Sequence, residues 1–135
     1  TRGTLEFMPL ELSSFDSVRD FSTKFQARKL PLHALVNNAG LNGYSVPSGK
    51  GRCDDGFDFL WKVNYLSHFL LTQLLLKNLE SSAPSRIVNL SSVMHRYGNP
   101  DFNRHQKVSE SRDRVPGSYE DSKLAMTVMS YEMGR

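Results

Sequence analysis

Along the chain the spacing of apolar residues changes several times, and each change marks an element. Leu5 to Leu12 is a short, largely apolar run that reads as a strand. Phe15, Val18, Phe21 and Phe25 then recur at helical spacing, with Ser13 or Ser14 as the cap and Pro31 closing the region. Leu32 to Val36 has the continuous apolar pattern of a buried strand. From Asn42 to Gly56 the pattern dissolves, and Gly43, Gly49, Gly51, Gly56 and Pro47 mark an exposed loop. Asp54 or Asp55 can cap the helix that follows, from about Asp55 to about Leu79. That helix is apolar around much of its circumference, including Phe59, Leu60, Val63, Leu66, Phe69, Leu70, Leu74 and Leu75. Such a helix is buried or packs against a partner. Pro84 lies beyond it, Arg86 to Ser91 forms the next strand, and Gly98 to Pro116 reads as a polar loop. A last helix begins at Ser118 or Tyr119.

The resulting β-α-β-α-β-α order predicts an α/β protein with a parallel sheet and right-handed crossovers. At 135 residues there is room for one domain. Composition fits a globular chain, with 39% hydrophobic and 23% charged residues. The net charge of +3 is dispersed. Arg104, His105, Lys107, Arg112 and Arg114 are interrupted by Glu110 and Asp113, so they read as a solvated loop rather than a nucleic-acid surface. The single cysteine, Cys53, allows no internal disulfide and fits a reducing compartment. His33, His68, His95 and His105 have no ligand spacing, so no metal site is expected. No run reaches the roughly 20 apolar residues of a membrane helix. Thr1 is not an initiator methionine, which is expected of a truncated or processed start. Cytoplasmic placement is the default expectation, with membrane association through segments outside this sequence left open.

The candidate chemistry lies in Tyr119-Glu120-Asp121-Ser122-Lys123, which puts a phenol and an ammonium one helical turn apart. A free phenol holds its proton to about pH 10. In a cofactor-lined cleft a neighbouring ammonium would favour the phenolate. The pair could then pass a proton to a carbonyl oxygen or take one from an alcohol. Upstream stand Leu35-Val36-Asn37-Asn38-Ala39-Gly40, Val63-Asn64-Tyr65 and Arg86-Ile87-Val88-Asn89-Leu90-Ser91-Ser92.

In order, spacing and residue type these segments resemble the short-chain dehydrogenase/reductase family, from about Leu5 to Arg135. Ser82 to Asn89 and Ser122-Lys123-Leu124-Ala125 are similar to its retinol-dehydrogenase-type branch, as is the long gap between Ser92 and Tyr119. Ser67 departs from that branch, which usually has glycine there. The resemblance implies a doubly wound Rossmann-type sheet, with this chain supplying strands three to five. The domain, residues 1–135, would then be incomplete. Missing would be the N-terminal Gly-rich βαβ unit, whose turn binds the cofactor pyrophosphate, and the later strands and substrate lid.

Residue roles follow from the same resemblance. Tyr119 is implied as the acid/base, and Lys123 as its partner and the holder of the nicotinamide ribose. Ser92 steadies the substrate oxygen, with Ser91 as its rival, and Asn64 anchors a relay water or bonds neighbouring backbone. Asn37, Ala39 and Gly40 border the cofactor, with Asn37 also able to tie strands together. Glu11-Leu12 occupies the place of an Asp-hydrophobic pair that meets the adenine, so that Glu11, Leu12, Asn37, Ala39, Gly40, Tyr119 and Lys123 form the implied cofactor set. The implied cofactor is NADP, with NAD the alternative, and the implied substrate is a lipophilic or retinoid-like carbonyl or alcohol. A homodimer is implied, paired through the helices matching Asp55 to Leu79 and the one beginning near Tyr119. The competing expectation is a truncated, non-catalytic chain acting through protein contacts.

Overall fold

The computed structural model describes residues 3–106 and 113–134. Helix α1, Phe15–Ala27, starts where Ser14 accepts a hydrogen bond from the Ser17 amide, which settles the cap in favour of Ser14. Its expected face is the one that packs. Val18 is fully buried, and Phe21 and Phe25 lie against the core. Strand β1 is Ala34–Asn37, shifted two residues from the apolar run that predicts it.

The long apolar helix begins at Phe59, later than the sequence suggests, because Asp58 rather than Asp54 or Asp55 is its cap. Asp58 Oδ1 accepts from the Trp61 amide at 3.0 Å. Asp55 pairs instead with the ammonium of Lys62. The first turn, α2 (Phe59–Trp61), runs through a π-helical turn, Lys62–Leu66, into α3 (Ser67–Ser81). Wide turns of this kind are frequent at functional sites, and Asn64 sits within this one.

Strand β2, Arg86–Asn89, pairs in parallel with β1. The register sets Ala34 against Arg86 and Asn37 against Asn89, so both strands end at the same level. A 3-10 turn, Val93–Tyr97, follows Ser92. The region read as a uniformly polar loop contains a short helix, α4 (Asn103–Gln106), and His105 is fully buried rather than solvated. The chain then enters α5, Ser118–Met133, through Gly117, whose φ of 78° favours a residue without a Cβ.

Among the described residues two strands are hydrogen-bonded, not three. Leu5 to Leu12 forms no ladder. A strand is stable when neighbours satisfy its backbone groups, and the described residues place none beside this segment. Leu5 is fully exposed and Phe7 is 88% exposed, while Leu12 reaches the core. That core joins Leu12, Val18, Phe59, Val63, Leu71 and Leu75, where α1 meets α3. The architecture is a partial doubly wound α/β sheet, with α3 on β1 and α5 on β2.

Candidate active site

In an open parallel sheet, ligands sit beyond the carboxyl ends of the strands, and this is where the implied residues meet. Asn37 ends β1 with its side chain turned inward. Its amide donates to Asn89 Oδ1 at 2.7 Å and to Thr72 Oγ1 at 3.0 Å, tying β1 to β2 and to α3. Asn89 in turn donates to Ser130 on α5 at 2.9 Å. Asn37 therefore builds the platform rather than reaching into the cleft.

Asn64 fixes the next stretch. Its Oδ1 accepts from the Leu41 amide at 2.8 Å, and its Nδ2 donates to the Leu41 carbonyl at 2.9 Å and to Ser122 Oγ at 3.2 Å. Both amide hydrogens are thus committed, and Oδ1 retains a second lone pair. The amide is satisfied by backbone and by α5, the alternative that the sequence left open beside the relay water.

Lys123 is buried, and its ammonium donates to the Leu90 carbonyl at 3.0 Å. This is its acceptor among the described residues, so further N–H groups remain for a ligand. Burial lowers its pKa. The ammonium lies 5.8 Å from the Tyr119 ring centroid. The half-buried Tyr119 makes no side-chain hydrogen bond to a described residue, leaving its hydroxyl for a ligand.

Ser91 and Ser92 diverge. Ser91 Oγ donates to the Lys123 carbonyl at 2.8 Å and lies 2.8 Å from Thr127 Oγ1, so it is committed to α5. Ser92 Oγ accepts from the Met94 amide at 3.2 Å as the cap of the 3-10 turn. Its hydroxyl proton has no acceptor among the described residues.

Gly40 brings bare backbone close to two side chains of the site. A Cβ there would lie 3.3 Å from Asn64 Oδ1 and 3.4 Å from Lys123 Nζ. The bare backbone leaves a cradle beside a buried ammonium that has donors to spare, which suits a ribose or a similar hydroxyl-rich group. A shallow cleft of about 430 Å³ continues from Asn38, Ala39 and Gly40 to Leu10, Glu11 and Leu12. Glu11 accepts from the Ser13 amide at 2.9 Å. That backbone bond holds its carboxyl below the ordinary range, so it is an anionic acceptor near neutrality.

On the other side of Tyr119 lies a cleft of about 870 Å³, bordered by Tyr44, Leu60, Met94, Val115 and Pro116. Its loops are tied by Arg114, which donates to the Gly43 carbonyl at 3.1 Å. The Val115 amide donates to Asp58 Oδ2 at 2.8 Å.

The sequence reading missed several supporting groups. His68 lies within 2.8 Å of the Ala39 carbonyl and holds the Asn-Asn-Ala-Gly turn from α3. Burial lowers its pKa, so it serves as a neutral donor. Ser67, the departure from the branch pattern, donates to the Leu12 carbonyl at 2.6 Å. Asp58 and Asp121 are both buried. His68, Ser67 and Asp121 have no local signal, because their partners are remote in sequence, and Asp58 adds to its local cap a bond to the distant Val115 amide. Cys53, half-buried in the glycine-rich loop, has its thiol pushed up to about 11 by desolvation and stays protonated near neutrality.

Comparison with known proteins agrees with this geometry. The family model described as short chain dehydrogenase matches residues 1–104. Human polyprenol dehydrogenase is 40% identical over 135 residues, covering 97% of this chain and 39% of that protein. Human retinol dehydrogenase 12 is 43% identical over 126 residues, covering 93% of this chain and 38% of that protein. The chain thus spans about two fifths of the length of these relatives.

Among solved structures, a metagenomic short-chain oxidoreductase in complex with NADP superposes with a TM-score of 0.65 at 23% identity. That match covers 95% of this chain and 50% of the other. The Pseudomonas aeruginosa RhlG/NADP active-site complex gives 0.61 at 26% identity, covering 93% and 45%. The family match ends before Tyr119, but the two human relatives align over more than nine tenths of the chain. Together with the paired strands and the Asn64–Ser122 link between the long helix and α5, this establishes that the chain belongs to the short chain dehydrogenase family.

Proposed function

We propose that this chain carries the proton-transfer site of an NADP-dependent oxidoreductase that interconverts an alcohol and a carbonyl on a lipophilic, retinoid-like substrate. The observation that carries the reading is the buried Lys123 ammonium beside the Gly40 cradle, on the same helix as a Tyr119 hydroxyl left for a ligand. Lys123 would hold the ribose hydroxyls, the backbone at Ala39 and Gly40 would admit the cofactor closely, and Glu11 and Leu12 would border the adenine. A nicotinamide, when bound, supplies or accepts the hydride.

The chain's own residues do the rest. In the reducing direction Tyr119 gives its hydroxyl proton to the carbonyl oxygen as the carbon is reduced. Ser92 donates a hydrogen bond to the same oxygen, and Lys123 stabilises the phenolate that remains. In oxidation the phenolate takes the alcohol proton. Asn64 holds the Leu41 turn against α5 and has one Oδ1 lone pair left for a relay water. Leu60, Met94, Val115 and Pro116 give the substrate side an apolar wall, which supports a lipophilic substrate. The relatives named retinol and polyprenol dehydrogenases favour the same class. Phe69, Val128 and Tyr131 are exposed on α3 and α5, which supports pairing of these helices in a homodimer.

The test is Tyr119→Phe in the natural full-length protein. The ring keeps its packing and loses only the transferable proton, so kcat should fall by ~10²-fold or more while NADP affinity stays within about threefold. Ordinary turnover by the variant would reduce Tyr119 to a packing residue.

A second reading, a non-catalytic chain acting through protein contacts, is favoured by the exposure of Leu5, Phe7, Val36 and Val88. It predicts that residues 1–135 occur by themselves in cells, which immunoblotting against α5 would reveal by size.

A further inference from the structure

Two residues beyond Tyr119 and two before Lys123, Asp121 is buried with 1% exposure and gathers donors from three residues, Asn99, Arg104 and His105. The Asn99 amide donates to its Oδ1 at 2.7 Å. Arg104 donates to its Oδ2 through Nε at 2.9 Å and also through Nη2. His105 Nε2 lies 2.6 Å from the same oxygen. Burial by itself would raise this carboxyl, but the Asn99 amide, His105 and Arg104 outweigh it and hold the pKa below the ordinary value. A carboxylate with this set of bonds is a fixed junction, because removing it leaves the buried His105 and the Arg104 Nε without their acceptor.

What the junction connects gives it a role. The 3-10 turn capped by Ser92 ends at Tyr97, and the next residues are Gly98 and Asn99, so the Asn99 bond ties the Ser92 element to α5. Approach there is close. A Cβ on Gly98 would lie 2.8 Å from both the Glu120 carbonyl oxygen and Leu124 Cβ. Arg104 also donates to the Pro116 carbonyl at 2.9 Å, holding the turn that leads into Tyr119. His105 stacks on Trp61, with ring centroids 4.4 Å apart, and so links the junction to the first turn of the long helix.

We propose that Asp121 is a positioning residue, which sets the separation between the Ser92 hydroxyl and the Tyr119 phenol so that both reach one substrate oxygen. The inference rests on the oxidoreductase reading above. Two groups that act on the same atom tolerate little error in spacing, and a misplacement of about 1 Å can cost on the order of 10²-fold in rate. The implied cofactor residues Gly40 and Glu11 lie on other elements, and Lys123 is held by its own bond to the Leu90 carbonyl at 3.0 Å.

The experiment uses the natural full-length protein with NADPH and retinal, and decanal as a second probe. Asp121→Asn keeps the size of the side chain and puts an NH₂ among donors. His105→Phe keeps the stack on Trp61 and removes one donor, and it decides the matter if the first variant does not fold. Both variants should lose kcat, by ~10- to 100-fold for Asp121→Asn and less for His105→Phe. KM for the aldehyde and Kd for NADP should stay within about threefold of wild type. Hydrogen exchange of the Asn99 amide should accelerate in Asp121→Asn.

Unchanged kcat in the folded variants would overturn the proposal, whether or not Asn99 had lost protection. A parallel loss of kcat, NADP affinity and thermal stability would also overturn it, since that is a folding role. If the wild-type protein reduces neither probe, the oxidoreductase reading fails and the positioning role falls with it. Active wild type with unaffected variants removes the positioning role alone.

Discussion

At the carboxyl ends of β1 and β2, buried polar side chains find partners within the chain, whereas the segment before Leu12 and parts of the strands do not. Asn64, Asp58 and Asp121 each bond to a loop and face a helix, and Lys123 reaches back to Leu90. By contrast Leu5 and Phe7 stand in solvent, and Val36 and Val88 are 56% and 42% exposed. The two regions differ in where their partners lie. The bonds that satisfy Asn64, Asp58, Asp121 and Lys123 join residues between Leu41 and Lys123, all inside this sequence. The leading segment needs a neighbouring strand, and the described residues do not provide it. Polar groups at the strand ends are satisfied locally although the described sheet has only two strands.

The sharpest way to break that contrast is to study residues 1–135 alone. Exposed apolar strands and an unpaired leading segment should give a broad, weakly cooperative urea transition or aggregation. NADP should show no saturable binding at micromolar concentration by calorimetry. A steep transition with micromolar binding would mean that the two regions are equally self-sufficient.

The next largest effect is expected at Asn64. Asn64→Leu leaves the amide and carbonyl of Leu41 without their partners, which at ~1–3 kcal/mol per buried group should cost about 2–4 kcal/mol. Urea unfolding of the natural protein would measure this, and a cost below about 1 kcal/mol would show that the Leu41 turn relaxes to other partners.

A smaller, graded effect is expected from pH. Burial keeps the His68 pKa below its ordinary 6.5, so the unfolded chain binds a proton that the native site does not. Stability should therefore decline as pH falls through about 6.5. His68→Gln, which can still donate to Ala39 but does not titrate, should flatten that part of the stability–pH curve. An unchanged slope would mean that His68 charges as readily in the native site as in the unfolded chain.

The smallest effect lies on the surface. Lys24 pairs with Asp20 at 2.6 Å, one turn apart on α1, with both side chains largely exposed. Lys24→Ala should shift stability by under about 0.5 kcal/mol. A larger loss would mean that α1 depends on this pair more than on Val18 and its packing against α3.

Several elements could be read directly from residue spacing. The α1 face is visible in Phe15, Val18, Phe21 and Phe25, and both paired strands lie within one or two residues of their apolar runs. The motifs that carry the family resemblance are contiguous too, so Tyr119 with Lys123, and Gly40 after its strand, needed no coordinates to be singled out. Elsewhere spacing misled. Leu5 to Leu12 has a strand's composition, but strand formation depends on a partner that composition does not encode. Asp54, Asp55 and Asp58 are all acids before an apolar run, and the position of the Trp61 amide selects Asp58.

What the sequence by itself determined is the chemical inventory and its local geometry: a phenol and an ammonium on one helix, a glycine after a strand, and a serine pair at the end of the next. Helix and strand periods fix those relations over a few residues. Only the tertiary structure decided which serine is committed to α5, how Asn64 closes on Leu41, and that His105 and Arg104 leave solvent to meet Asp121. Those bonds join residues between 16 and 32 positions apart. They form because burying an unpaired polar group is costly, and the packing of α5 against the long helix and the strand ends settles which partners are within reach.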